Sequence, residues 1–103
     1  MEKILCAAIW FKDGKEPDQF APVNITEGFV ISGWRHGAIL RIGDRLNISP
    51  KNSVQGFLTS ENRFLDRKEA RELAVTTGQC VPEFPDELYS EDTYTNERLV
   101  VEN

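Results

Sequence analysis

Apolar residues fall along this chain in short blocks separated by Gly, Pro, Asp and Asn, and the spacing inside each block predicts its local structure. Ile4 to Phe11, ILCAAIWF, is an unbroken apolar run of strand length followed by the turn signal Asp13-Gly14, and it predicts a central strand. Pro17 and Pro22 bracket an irregular connection. Gly28 to Trp34 then reads as a second strand, with Phe29 and Ile31 on one face and Val30 and Ser32 on the other. From His36 to Leu46 the period changes: Ile39, Leu40, Ile42 and Leu46 recur at helical spacing, with Gly37 and Gly43 as weak points. Val54 to Thr59 is a third strand, and Ser60, Glu61 and Asn62 after it are turn formers. A second helix is predicted from Arg67 to about Thr77, burying Ala70, Leu73 and Ala74 and stopped by Gly78. Asp66 with Glu69 three residues on is a capping-box arrangement at its start. Beyond it, Pro82 and Pro85 impose extended chain, and Asp86 to Tyr94 is a short helix or turn before the terminal run Leu99–Val101.

These elements predict an α+β fold, a small antiparallel or mixed sheet with two helices, forming one domain over residues 1–103. A hydrophobic share of 40% is enough to fill a core of that size, which burial by a partner subunit would extend. No apolar run approaches the roughly 18 residues of a membrane span, and the N-terminus lacks a signal-peptide pattern. Cys6 and Cys80 read as free thiols of a reducing cytoplasm, with a disulfide between them as the alternative.

Charge is more informative in its distribution than in its total of -5. The segment Arg35–Arg71 holds eight cations against four acids, whereas from Glu72 onward eight acids face Arg98 alone. A basic middle within an acidic whole argues against a long nucleic acid, whose backbone needs many cations, and suits a small anion held in one place. The competing reading is a set of solvated arginines paired with neighbouring acids. At the start of the second helix, Asn62, Arg63 and Arg67 are expected to gather where backbone N–H groups and the positive end of the helix dipole face one anion. Arg35-His36, at a strand-to-helix joint, is a second candidate: Arg clamps phosphate with two parallel N–H bonds and His donates or stacks. One His and two distant Cys do not supply zinc spacing, the acidic clusters lack a calcium loop, and no nucleophile–base pair stands out, so neither metal, cofactor nor catalytic residue is expected.

GWRH at Gly33–His36, the block QGFLTSENRFLDRKEA from Gln55 to Ala70, Gly78-Gln79 and LYSED at Leu88–Asp92 resemble a widespread set of small phage proteins. Within that set the chain is similar to the first type of Thoeris anti-defence protein, a family of sponges for cyclic nucleotide signals. The resemblance implies an α+β protomer that dimerises and sequesters cyclic ADP-ribose isomers without cleaving them, some members also capturing cyclic oligonucleotides. It implies Arg35 and His36 as contacts to pyrophosphate and ribose, and Phe57 as a base-stacking ring, a residue that by itself reads as an ordinary member of the core. Thr59, Asn62, Arg63, Asp66 and Arg67 complete the implied ligand-binding set, on a homodimer or a multiple of it in the cytoplasm of an infected bacterium. The alternatives are a phage hydrolase of the same signals and a small inhibitor that binds a host defence protein. Arg67, as the first residue of a capped helix, is expected to matter little for stability.

Overall fold

Ile4–Phe11 forms β1 of the computed structural model, which describes residues 1–93. The strand is flanked on both sides, by β2 (Phe29–Gly33) and by β3 (Ser53–Thr59), and β3 in turn pairs with β4 (Phe64–Asp66). All three pairings are antiparallel, in the order β2-β1-β3-β4. With the helices α1 (His36–Arg45) and α2 (Arg67–Thr77), this is the expected α+β fold.

Registers such as Ala7↔Gly33 and Ala7↔Phe57 fix which residues share a face. Ala7, Ile9 and Phe11 lie with Phe29, Ile31, Phe57 and Leu65 in the main core, where Ile39 of α1 and Ala70 and Ala74 of α2 pack. Ala8, Trp10, Val30, Val54, Leu58 and Phe64 form the other face, covered by Ala21 and Ile25 of the 12–28 connection. In α1 the apolar spacing overstated burial. Ile39 is fully buried, but Ile42 and Leu46 are 43% and 61% exposed, because Ile39 and Gly43, one turn apart, form the stripe that meets the sheet.

β4 was not foreseen. It is three residues long and runs directly into a helix cap, too short for alternation to register. Its pairing depends on Gly56, where a Cβ would overlap the Leu65 carbonyl and stand 2.7 Å from the Phe64 ring.

α2 is closed at both ends as expected. The Asp66 carboxylate accepts from the N–H of Lys68 at 3.0 Å and of Glu69 at 2.8 Å, and Glu69 accepts from the Asp66 N–H at 3.0 Å. Gly78, at φ +71°, takes the left-handed conformation that ends the helix. Asp66→Ala is expected to lower stability by about 1 kcal/mol, seen as a drop of several degrees in the thermal midpoint. Beyond the helix, the Gln79 amide bonds both main-chain groups of Ile4, accepting at 2.8 Å and donating at 2.6 Å, which ties the chain back to β1.

Leu88 then anchors the acidic segment: its side chain is fully buried and its N–H donates to the Arg67 carbonyl at 3.0 Å. A turn follows, closed by the Asp92 N–H on the Tyr89 carbonyl. Tyr94 and the terminal run Leu99–Val101 lie outside the described residues. Cys6 and Cys80 are free thiols, and among the described residues no helix is long and apolar enough to cross a membrane.

Candidate functional site

Where β2 ends, the chain bends through Trp34 and Arg35 into α1, and three arginines line the concavity beside this joint. Arg35 is the N-cap residue, with extended backbone at φ -139° and ψ 155°. No side chain caps the helix here and no acid stands in its first turn, so the partial positive charge of the helix end is not offset by its own sequence. Trp34, Arg35, His36, Arg41, Arg67 and Glu91 are among the residues that line a cleft of about 480 Å³ at that end.

Arg67 reaches the cleft from α2, oriented by contacts on several sides. Its guanidinium donates to Gln55 Oε1 at 2.6 Å and to the Leu88 carbonyl at 3.0 Å, and it lies 4.3 Å from the centroid of the Tyr89 ring. Side chains held this way are not dispensable, which corrects the expectation that Arg67 matters little for stability. Its removal would leave Gln55 and the Leu88 carbonyl without these donors and loosen the segment that carries Glu91.

His36 is buried beneath the cleft. Its Nε2 donates to the Gly56 carbonyl at 2.7 Å, since a carbonyl can only accept; Nδ1 is therefore the acceptor facing Arg67 Nη2 at 3.4 Å. Burial pushes its pKa below the ordinary 6.5, and the neighbouring Arg67 charge pushes the same way, while the Gly56 carbonyl and Glu91 oppose. A neutral ring with both nitrogens engaged holds the start of α1 against the sheet. The side chain is thus a positioning group at the wall of the cleft, with both ring nitrogens already engaged.

Arg35 is the more accessible cation. Its guanidinium lies 4.6 Å from the centroid of the Trp34 ring and its Nη1 is 3.8 Å from Glu91 Oε1, both side chains remaining partly exposed at 37% and 55%. Exposed pairs at this distance contribute on the order of 0–1 kcal/mol.

The remaining residues of the implied set lie elsewhere. Phe57 is fully buried, paired across the sheet with Ala7 and Leu65, and its ring meets the His36 edge at 5.2 Å; it is a core residue and has no face to offer a base. Thr59 is 1% exposed and donates to Glu2 Oε2 at 2.6 Å. Asn62, at φ +55°, forms the β3–β4 turn and donates to the Ala21 carbonyl at 3.2 Å. Arg63 is clamped to Glu2 by two bonds of 2.7 Å each. None of these lines the cleft, because the three residues of β4 carry the chain about 10 Å from the turn to the α2 cap. Asp66 is occupied by that cap. The expected gathering of Asn62, Arg63 and Arg67 around one anion is therefore replaced by a gathering of Arg35, Arg41 and Arg67. Trp34, Arg41, Gln55, Tyr89 and Glu91 were not singled out beforehand; the one signal was Trp34 itself, a large aromatic beside Arg35.

The Glu2–Arg63 clamp carries a pH dependence. Bonds from Arg63, then from the Thr59 hydroxyl, hold the Glu2 carboxyl at about 2 instead of 4.5, against an opposing effect of burial. The folded state binds that proton less readily than the unfolded chain, so the stabilisation is full above pH 4.5 and is lost as pH falls toward 2. His36, with its lowered value, adds a loss that begins as pH falls below 6.5. Thermal midpoints between pH 7 and 2 should fall through both windows, and Glu2→Gln should flatten the lower one alone.

Among the described residues no group of three or more His, Cys, Asp or Glu is placed to hold a metal ion. The model of one protein family, described as Phage T4 y16D protein, matches residues 3–94, a span that includes every residue of the cleft. No curated protein and no solved structure matches the chain.

Proposed function

The chain belongs to the phage T4 y16D protein family, and we propose that it binds a small anionic nucleotide signal of the cyclic ADP-ribose class and sequesters it without cleavage in the cytoplasm of an infected bacterium. The observation that carries this reading is the convergence of Arg35, Arg41 and Arg67 on the uncapped N-terminus of α1. Guanidinium groups and free helix N–H groups are the standard donors for pyrophosphate oxygens. A cleft of about 480 Å³ falls within the range that small ligands occupy, and its mixed lining of charge and aromatic surface suits a nucleotide better than a bare ion. Sequestration asks only for affinity and copy number, by mass action on the free signal.

The cleft opens at the surface, and the exposed Ile42 and Leu46 lie on and just beyond α1, the helix that carries Arg41. A homodimer that covers these residues would enclose the ligand further. Incubation with a panel of cyclic nucleotides, removal of free ligand, heat release and chromatography test the proposal. Stoichiometric recovery of one unaltered compound is expected. Turnover of excess ligand would select the hydrolase instead, and failure to retain any member of the panel would remove nucleotide binding altogether.

A further inference from the structure

We propose that two copies of this chain join along the outer edge of β2, so that their sheets continue into one across a two-fold axis. The pairing does not depend on what the cleft binds. Hydrogen-bond parity decides which groups of β2 face outward. The Lys12 N–H donates to the Asn52 carbonyl at 3.0 Å, and by alternation Trp10 and Ala8 also turn their main-chain groups toward β3, leaving those of Phe11, Ile9 and Ala7 to β2. The Thr59 N–H on the Arg63 carbonyl at 2.9 Å fixes the same parity from the β4 side. Phe29, Ile31 and Gly33 therefore bond β1, and the N–H and C=O of Val30 and Ser32 point away from the sheet. Among the described residues these four groups have no partner.

The opposite edge of the sheet is closed by the chain itself. Phe64 of β4 donates its N–H to the Asn24 amide at 2.8 Å and accepts from it at 2.7 Å. β2 has no such closure and no other device that protects an edge: its five residues, FVISG, contain no Pro and no charge, and its register against β1 is unbroken.

A second copy fits that edge. Antiparallel pairing centred on Ile31 sets Val30 opposite the second copy's Ser32, so that every outward N–H and C=O of both strands is bonded. In the same register Phe29 meets Gly33, large against small. Glu27 before β2 and Arg35 after it give the strand ends opposite charge, which an antiparallel pair matches twice. Apolar surface adjoins the edge on both faces of the sheet. On one, Val30 and Ser32 line a groove of about 300 Å³ beside Phe20, which is 81% exposed. On the other, Ile39 of α1 lies against Gly33 of β2, and the exposed Ile42 and Leu46 continue its row at i+3 and i+7. The two-fold brings these rows of both copies toward one another beneath the joined strands.

Sedimentation velocity and light scattering on the full chain without ligand test the pairing, and their outcome is separate from nucleotide binding. The native chain should behave as two copies at micromolar concentration. Ser32→Pro removes an outward N–H without touching a bond to β1, and Ser32→Lys brings two ammonium groups together near the axis. Each should raise the dissociation constant of the dimer by about tenfold or more. Ser32 is exposed, so both variants should keep the native circular dichroism. Ile31→Cys places two thiols at the centre of the pair, in a non-hydrogen-bonded position where Cα atoms stand about 4.5 Å apart, within disulfide range. Oxidised glutathione should trap this variant as a covalent dimer, and should trap neither the native chain nor Val75→Cys, whose position is exposed on α2. Trapping through position 31 supports the pairing by itself if Ser32→Pro fails to fold. A native chain that stays monomeric would overturn the proposal, as would a dimer that Ser32→Lys leaves intact and Ile31→Cys does not trap.

Discussion

Replacing Arg35 by Ala is expected to weaken binding of a cyclic ADP-ribose isomer by roughly thirty- to a thousand-fold, about 2–4 kcal/mol, because it removes a charge-assisted bidentate contact and uncovers the Trp34 ring. Lys at the same position should restore only part of the loss, since a point charge lacks the planar fork that fits a phosphate and stacks on an indole. Stability should barely change. The Arg35–Glu91 pair is a surface contact at 3.8 Å, and the N-cap function of residue 35 is carried by its backbone, whose carbonyl accepts from the Ala38 and Ile39 N–H groups. Calorimetric titration and thermal midpoints on the same preparations separate affinity from folding. A native-like affinity in Arg35→Ala would exclude the phosphate clamp.

Phe57→Ala should behave in the opposite way, losing about 3–5 kcal/mol of stability through the cavity left between Ala7, Leu65 and His36. For a domain of this size that corresponds to a fall of roughly 15–30 °C in thermal midpoint, enough to leave a marginally stable fold largely unfolded at physiological temperature. Circular dichroism melts would show it directly. A variant that melts like the native chain but no longer binds ligand would return Phe57 to the ligand site and contradict its place in the core.

The contrast between these two residues shows what was legible in the sequence. Elements whose signals are local came through: β1 from its apolar run, and α2 with both its ends from Asp66, Glu69 and Gly78. Arg35 was legible as a candidate because its candidacy rests on a strand-to-helix joint, and joints are read from neighbours in sequence. Phe57 was less so: by itself it reads as core, whereas the resemblance makes it a stacking ring. Along β3 it shares a face with Ser53, Gln55 and Thr59, a polar alternation that suggests solvent. Only the pairing with β1 and β4 shows that this face is covered, with Gln55 bonded by Arg67 and Thr59 by Glu2.

The same limit separated Arg63 from Arg67. Read as neighbours on a helix start, the two residues fall together, but β4 lies between them and sends Arg63 to Glu2 and Arg67 to Gln55. Glu91 and Tyr89 enter the site through a contact 21 positions apart in the chain, the Leu88 carbonyl on Arg67, for which no periodicity exists to be read. The competing view of the basic segment as arginines paired with acids turned out to describe Arg63, clamped to Glu2, far better than it describes the looser Arg35–Glu91 contact.

The location of the ligand site is the central claim, and a nitrogen–proton NMR titration of the isotopically labelled chain tests it most directly. Addition of a cyclic ADP-ribose isomer should shift the backbone amides of Trp34 to Ala38, the indole N–H of Trp34 and the amides of Ser90 and Glu91, while Thr59 to Arg63 stay in place. Shifts confined to Thr59–Arg63, or a spectrum unchanged at saturating ligand, would contradict it.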